Sequence, residues 1–258
     1  MKLGGFGFIA DYQKMRSAGY DYAELDMPEI EELSDAEFDK LCKKVEKAQF
    51  PVLCGARVLP IATSLFFVDD FNPEQLEKYL KKSCRRAGIL GIKKVIFGNG
   101  KARSLSKTED INKEPVFVDF LRMLSDIAGI NGQELILEPL GPKYSNYINT
   151  IPEAVELIEK VNMPNLFTMA DLRHVISSGE PFSNLSKYSG YIHHIHIDYP
   201  LSYPERLYPC PDDDFDYAAF LELVKKSGYD DTLTVEADVP VSWKLARSNL
   251  NKVLRGIM

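Results

Sequence analysis

Short apolar runs alternate with longer segments of helical periodicity along the whole chain, and no linker or low-complexity segment interrupts this alternation. The apolar runs predict eight strands, at residues 3–9, 22–25, 51–59, 95–97, 135–137, 166–170, 191–197 and 232–235. The amphipathic segments predict eight helices, at residues 12–18, 35–48, 73–87, 116–128, 152–161, 185–188, 217–227 and 245–254. This alternation predicts parallel strands joined by right-handed crossovers. With eight units in 258 residues, we expect an α/β fold in which residues 1–258 form a single (β/α)8 TIM barrel.

An open, doubly wound sheet is the alternative arrangement of the same elements. Such a sheet typically carries a GxGxxG turn between a strand and the following helix. Residues 98–103 read GNGKAR and lack the third glycine. The closed barrel is therefore the preferred prediction.

The composition is that of an ordinary globular protein, and it indicates which partners and which cellular compartment to expect. The chain has 31 Lys and Arg against 38 Asp and Glu, a net charge of −7, so we expect neither nucleic acid nor an anionic membrane as a partner. The longest apolar-looking window, residues 58–68, contains Pro60, Thr63 and Ser64 and cannot supply the roughly 20 apolar residues of a membrane span. Four cysteines without a CxxC pair indicate free thiols, and the N-terminal segment lacks a signal-peptide pattern, so we expect a cytoplasmic protein.

Four consecutive predicted strands end in an ionisable residue, and these residues are the main candidates for chemistry. They are Glu138, Asp171, His196 and Glu236. Any one of them alone indicates only a solvated loop entrance, but in a closed barrel all four meet at the C-terminal mouth, where active sites of this fold lie. Three carboxylates at one place repel each other unless a cation lies between them. Three carboxylates and one imidazole suit one divalent metal ion, with Mn²⁺ preferred and Mg²⁺, Co²⁺ or Zn²⁺ as alternatives.

The motifs around these four residues resemble a known family. The segments LILEPL, TMADLRH, HHIHID and GYDDTLTVEAD are similar, in order and spacing, to the xylose isomerase-like TIM barrels, a group of sugar phosphate isomerases and epimerases. The resemblance implies that the four residues hold a single metal, that Glu138 and Glu236 also act as an acid/base pair, and that His174 contacts substrate oxygens. The epimerase branch usually has an arginine six residues after the histidine ligand. This chain has Ser202 there, and Arg206 is the candidate to take its place.

The resemblance implies an isomerase or epimerase of a sugar, a sugar phosphate or a polyol-derived ketone. A proton beside a carbonyl is too weak an acid to leave unaided at neutral pH, and a divalent cation on the carbonyl and its neighbouring hydroxyl stabilises the enediolate. Glu138 and Glu236, on different strands, would remove and return the proton. The expected partner is a small carbohydrate, and homodimers and homotetramers are common in this group.

Three further residues are candidate substrate contacts, each with a structural alternative. Arg103, after the fourth strand, would bind a phosphate or a sugar hydroxyl, or is a surface arginine. Glu24, at the end of the second strand, is a substrate contact or part of a loop salt bridge. Trp243, the only tryptophan, is a lid or sugar-stacking platform, or it packs in the core or at an oligomer contact. His194 lies on the same strand face as His196, and we expect it one layer below the metal, where it would orient the site.

Three other functions stay open from the sequence. A lyase or dehydratase would use the same metal and enediolate and then expel a leaving group. A DNA-repair nuclease similar to endonuclease IV needs a histidine-rich multi-metal cluster, whereas this chain has four histidines. A non-catalytic sugar-binding protein would be expected to lack one of the four ligands.

Overall fold

The computed structural model describes residues 1–60 and 63–255, and within them the strands form one closed barrel. The strands are β1 (Lys2–Gly7), β2 (Tyr22–Asp26), β3 (Val52–Ala56), β4 (Lys94–Phe97), β5 (Glu134–Leu137), β6 (Leu166–Asp171), β7 (Ile192–Ile197) and β8 (Thr232–Val235). They follow chain order around the barrel, all neighbours are parallel, and β1 pairs with both β2 and β8. The predicted (β/α)8 barrel is therefore confirmed, and its closing pair joins Lys2 to Thr232 and Gly5 to Val235 in register.

Helices follow the strands around the barrel. In the described part of the chain they are α1 (Tyr12–Ala18), α2 (Met27–Glu32), α3 (Asp35–Ala48), α4 (Glu74–Leu90), α5 (Glu114–Ile130), α6 (Ile151–Val161), α7 (Leu172–Ser177), α8 (Ser183–Lys187), α9 (Ala218–Lys226) and α10 (Trp243–Val253). Two 3₁₀ helices, Lys101–Arg103 and Thr108–Lys113, lie between β4 and α5. None of the helices described here combines the length and the apolar character that crossing a bilayer requires.

Two helices that the sequence pattern did not predict, α2 and α7, begin directly at the end of a strand. The last residue of the strand caps the helix in both cases. Asp26 Oδ2 accepts a hydrogen bond from the backbone N–H of Glu29 at 3.1 Å, and Asp171 Oδ1 accepts one from the backbone N–H of Arg173 at 2.8 Å. The strand passes into the helix without an intervening turn in both cases, and in α2 Pro28 lies in the first helical turn. This geometry fixes Asp171 at the barrel mouth.

The barrel interior is filled by every second residue of the strands. The apolar part of this interior consists of Tyr22, Cys54, Ile96, Ile136 and Met169. Only glycine fits at position 4 of β1, since a Cβ atom there would lie 2.3 Å from the Tyr22 ring. The Tyr22 hydroxyl forms a hydrogen bond of 2.7 Å with Thr234 Oγ1 on β8. The ring of Tyr22 therefore fills the space that a side chain on β1 would otherwise occupy.

Candidate metal centre

The four side chains predicted as ligands meet at the C-terminal mouth of the barrel. Glu138 follows β5, Asp171 ends β6, His196 lies in β7 and Glu236 follows β8. One donor atom of each lies within 4.8 Å of the donor atoms of the others. His196 Nδ1 is 3.1 Å from Glu236 Oε2, 3.6 Å from Glu138 Oε1 and 3.8 Å from Asp171 Oδ2. Atoms that bind one ion at about 2.0–2.4 Å lie roughly 3–4 Å apart, so this spacing suits a single cation.

Two buried atoms of this cluster have no hydrogen-bond partner among the described residues. They are Glu138 Oε1 and His196 Nδ1. A buried polar atom without a partner costs about 1–3 kcal/mol, and a shared cation would satisfy both atoms. Carboxylate oxygens and an imidazole nitrogen are ligands that Mn²⁺, Mg²⁺ and Zn²⁺ accept in proteins. The residues present therefore fit a divalent metal ion.

The carboxylates of the cluster lie in different electrostatic environments. Burial, reinforced by the carboxylates of Glu236 and Asp171, raises the pKa of Glu138 to about 7. Burial acts on the pKa of Asp171 in the same direction, but positive charge at His174 and Arg206 outweighs it and holds this pKa below its ordinary value. The raised pKa of Glu138 reports first its burial and then the repulsion of its neighbouring carboxylates, and a cation among them would offset both.

Glu24 holds the imidazole of His196 from the side opposite the candidate metal ligands. Glu24 is fully buried, and its carboxylate accepts hydrogen bonds from His196 Nε2 at 3.0 Å, His194 Nε2 at 3.1 Å and the Thr234 hydroxyl at 2.7 Å. An ionised carboxylate only accepts, so Nε2 of His196 carries a proton, and Nδ1 is the nitrogen that faces the cluster and would bind a cation there. The structure thus corrects the predicted substrate contact or loop salt bridge of Glu24. Because β2 continues to Asp26, Glu24 lies below the mouth, where its carboxylate contacts both His194 and His196.

Arg206 reaches the cluster from the loop that follows β7. Its Nη2 lies 2.7 Å from Asp171 Oδ2, its Nε donates to Asp198 Oδ2 at 3.0 Å, and its Nη1 contacts Glu236. The loop is tied to the segment after β8, because the backbone N–H of Arg206 donates to Asp238 Oδ2 at 2.9 Å and its carbonyl accepts from the Asp238 N–H at 2.8 Å. Arg206 is the sequence-based candidate for the arginine that the epimerase branch usually has six residues after the histidine ligand. The structure places it in the site.

Arg173 also anchors this loop, and the sequence analysis did not identify it. Its Nε donates to Asp198 Oδ2 at 2.5 Å, and its Nη2 donates to Ser202 Oγ at 2.8 Å. Both Arg173 and Asp198 are buried. The position of Arg173 between Asp171 and His174 in the TMADLRH motif was the available signal, but its contact with a distant loop depends on the fold.

A pocket of about 540 Å³ opens onto the cluster. Four site residues line it: Glu138, Glu236, His174 and Arg206. His174 is buried, with Nε2 at 3.8 Å from Glu138 Oε1 and 3.7 Å from Asp171 Oδ2. Its ring makes an edge contact with the ring of Tyr144, at 4.8 Å between centroids. His174 therefore lies beside the candidate ligands and faces the pocket, a position suited to contact with substrate oxygens.

Arg103 and Trp243 lie outside the lining of this pocket, contrary to their predicted substrate contacts. Arg103 is fully buried, its Nη2 donates to the backbone carbonyl of Glu138 at 2.6 Å, and burial lowers its pKa to about 10. The 3₁₀ helix that Arg103 ends turns the side chain inward, so that it supports the end of β5. Trp243 is buried at the start of α10, and its ring packs edge-on against Tyr20 and Tyr208. Trp243 therefore packs in the core, which is the structural alternative to a substrate contact.

Substitution of Gly98 by alanine tests the position of the Glu138 carboxylate. A Cβ atom at residue 98 would lie 1.9 Å from Glu138 Oε2, so the carboxylate must move. We expect the affinity for Mn²⁺, measured by isothermal titration calorimetry, to fall about tenfold or more while the barrel still folds. Gly190→Ala is the matched control, because a Cβ there meets no atom within 4 Å. Unchanged Mn²⁺ affinity in Gly98→Ala would contradict a ligand role for Glu138.

The fold and the site together define a class of protein. The class is a closed (β/α)8 barrel with a carboxylate and imidazole cluster at the C-terminal mouth, where enzymes with this fold carry their active sites. The chain belongs to the xylose isomerase-like TIM barrel family, whose profile matches residues 12–253.

Individual relatives agree with this assignment. The chain is 30% identical over 179 residues to the inosose isomerase of Bacillus subtilis, a match that covers 65% of this chain and 61% of that relative. Among solved structures, the 3-keto-D-glucoside 4-epimerase of E. coli superposes with a TM-score of 0.80 at 16% identity, over 98% of both chains. The IolI protein with a bound zinc atom superposes with a TM-score of 0.76 at 23% identity, over 100% of this chain and 98% of that one. At these identities the two superpositions show the shared fold alone.

Proposed function

We propose that the chain is a divalent-metal-dependent isomerase or epimerase of a sugar, a sugar phosphate or a polyol-derived ketone. The observation that carries the proposal is the convergence of Glu138, Asp171, His196 and Glu236, two of whose buried donor atoms lack partners, at a pocket of about 540 Å³. The inosose isomerase and the 3-keto-D-glucoside 4-epimerase, named for reactions of this class, support it. The zinc atom in the IolI protein supports a metal requirement.

The side chains of the site supply the proton transfers that such a reaction needs. A bound divalent cation would stabilise the negative charge that develops on the carbonyl oxygen. One of the two carboxylates, Glu138 or Glu236, removes the proton from the carbon beside the carbonyl, and the other, in its protonated form, returns a proton. Return to the same carbon inverts that centre. Return to the former carbonyl carbon, with the neighbouring hydroxyl proton passing to the former carbonyl oxygen, moves the carbonyl. His174 and Arg206, which line the same pocket, hold the substrate oxygens.

Metal analysis and solvent exchange test this proposal. The purified protein is assayed for bound metal and then incubated in deuterated water with a panel of ketoses, aldoses and inososes. We expect one divalent ion per chain, with Mn²⁺ the preferred ion, and metal-dependent deuterium incorporation beside the carbonyl of a substrate. Exchange that persists in metal-free protein would contradict the metal requirement. Release of water from the substrate in place of isomer formation would identify a lyase.

Substitution of His174 by alanine is expected to separate substrate handling from metal binding. His174 faces the pocket beside the ligands, so the variant should keep its metal while kcat/KM falls about tenfold or more. The readouts are metal content and the rate of solvent exchange on the same substrate. His193→Ala is the control, since His193 lies outside this pocket, stacked on Phe167. If His174→Ala loses metal as completely as Asp171→Ala, His174 is itself a ligand.

A further inference from the structure

The pocket is a positively charged region of an acidic protein. The chain carries a net charge of −7, yet four cationic side chains line the pocket: Arg57, Lys101, Lys143 and Arg206. The carboxylates in the same lining are Glu138 and Glu236. Both belong to the candidate metal centre, where they face His196 and Arg206. The outer part of the pocket therefore presents positive charge to whatever enters it.

Two of the four cations already have carboxylate partners. The guanidinium of Arg57 pairs with Asp26, with Nη2 at 2.6 Å from Oδ1. Arg206 contacts the carboxylates of the metal centre. By contrast, Lys101 and Lys143 form no ion pair with any carboxylate in the described ranges 1–60 and 63–255. The Lys143 ammonium instead lies 4.3 Å from the centroid of the Tyr203 ring.

The loops that carry these two lysines are in direct contact. Gly100, which precedes Lys101, packs so closely on the next loop that a Cβ atom there would lie 2.6 Å from the carbonyl oxygen of Tyr144, the residue after Lys143. Leu105 and Asn146 exchange two hydrogen bonds between the same loops, of 2.8 and 2.9 Å. The two unpaired ammonium groups therefore extend from adjoining positions on one side of the pocket.

A row of rings separates Lys143 from the metal centre. The Tyr203 ring, next to Lys143, makes an edge contact with Tyr144 at 6.1 Å, and Tyr144 makes one with His174 at 4.8 Å. His174 in turn lies 3.8 Å from Glu138 Oε1. A substrate whose reacting carbons lie at Glu138 would thus reach the lysines only with its far end.

We propose that Lys101 and Lys143 form a subsite for an anionic group, a phosphate or a carboxylate, at the end of the substrate remote from the reacting carbons. This inference rests on the proposed function and narrows its substrate class to phosphorylated sugars or sugar acids. Two ammonium groups without carboxylate partners gain charge-assisted hydrogen bonds when such a group binds. A pocket of about 540 Å³ lies within the usual range for small ligands of this size.

Matched pairs of ketones test the subsite. The pairs are fructose with fructose 6-phosphate, ribulose with ribulose 5-phosphate, and fructose with fructuronate, whose members differ only in the group at the end remote from the carbonyl. Solvent deuterium exchange gives kcat/KM, and calorimetry gives affinity, at low and at high salt. We expect the anionic member of at least one pair to be preferred about tenfold at low salt, and the preference to shrink at high salt. A preference in the phosphate pairs identifies a sugar phosphate, and one in the fructuronate pair identifies a sugar acid.

Lysine variants assign that preference to the subsite. In the double variant Lys101→Ala and Lys143→Ala the preference should fall to about onefold, with metal content and turnover of the neutral ketone changed less than about twofold. Arginine at both positions should retain most of the preference, because the charge remains. Lys78→Ala, on the exposed side of α4, is the control for loss of a lysine elsewhere.

The outcomes separate this inference from the proposed function. A double alanine variant that keeps the preference, or exchange without preference in every pair, overturns the anion subsite and leaves the isomerase proposal standing. If no ketone exchanges at all, the proposed function is wrong, and calorimetry decides the subsite. Lysine-dependent binding of an anionic ketone then supports it, and its absence overturns it.

Discussion

Changing either Glu138 or Glu236 to glutamine is expected to lower turnover about 100-fold or more, with only a moderate loss of metal affinity. The glutamine amide has the size of the carboxylate and still offers an oxygen to a cation, but it cannot accept a proton at neutral pH. Proton transfer by a positioned side chain contributes about 10²- to 10⁴-fold to a rate, so its loss falls on the chemical step. Both glutamates line the same pocket beside His174 and Arg206, so both should show the effect.

The measurements are metal affinity, kcat and exchange of the proton beside the substrate carbonyl. Glu156→Gln is the matched control, because Glu156 is exposed on α6, pairs with Lys160 and lies outside the site. Its turnover should equal that of the unchanged protein. If Glu138→Gln and Glu236→Gln both keep near-normal exchange on an established substrate, the two-carboxylate mechanism is wrong.

Glu24→Gln is expected to weaken the metal site without touching the pocket. Burial alone would raise the pKa of Glu24, but the charge of His196 and the hydrogen bonds from His194 and His196 hold it below its ordinary value. The carboxylate accepts three hydrogen bonds, whereas an amide turns one acceptor into an N–H₂ donor facing another donor. We expect Mn²⁺ affinity to fall about 10- to 100-fold, because His196 loses the group that orients it. The free energy of unfolding should fall by about 3–5 kcal/mol, the usual cost of breaking a buried charged pair.

Calorimetry with Mn²⁺ and chemical denaturation of the metal-free protein measure the two effects separately. Glu46→Gln, on an exposed position of α3, controls for loss of one carboxylate. If Glu24 only supported the fold, the variant would lose stability and keep its metal affinity. Metal affinity equal to that of the control would therefore contradict its role in orienting His196.

Most of the fold follows from the hydrophobic pattern, and the exceptions have physical causes. The eighth strand is found with the predicted bounds, and the others differ by a few residues at their ends. The predicted third strand runs past Ala56, where β3 ends, because apolar residues continue into the loop. Helices α2 and α7 escaped prediction because the aspartate that ends each strand also caps the helix. At both boundaries the hydrophobic pattern changes from the period of a strand to that of a helix with no turn between them.

The site divides into residues that a strand pattern locates and residues that only the assembled barrel locates. The four candidate ligands follow from their places at strand ends. The depth of Glu24 does not follow, because the pairing of β2 with β1 and β3 decides how far up the barrel a residue lies. The inward turn of Arg103 and the proximity of Lys101 to Lys143 depend on loops that meet only in the folded chain.

The fit of Tyr22 against Gly4 restricts the order in which this sequence can diverge. A side chain at position 4 is excluded while the ring is present, because its Cβ would lie 2.3 Å from a ring atom. A smaller residue at position 22 would therefore have to come first. That intermediate would lose the hydrogen bond to Thr234 and leave a void in the barrel interior, with a loss of stability. The two positions are thus tied by an evolutionary barrier, and a neutral path to another packing of this barrel must change both.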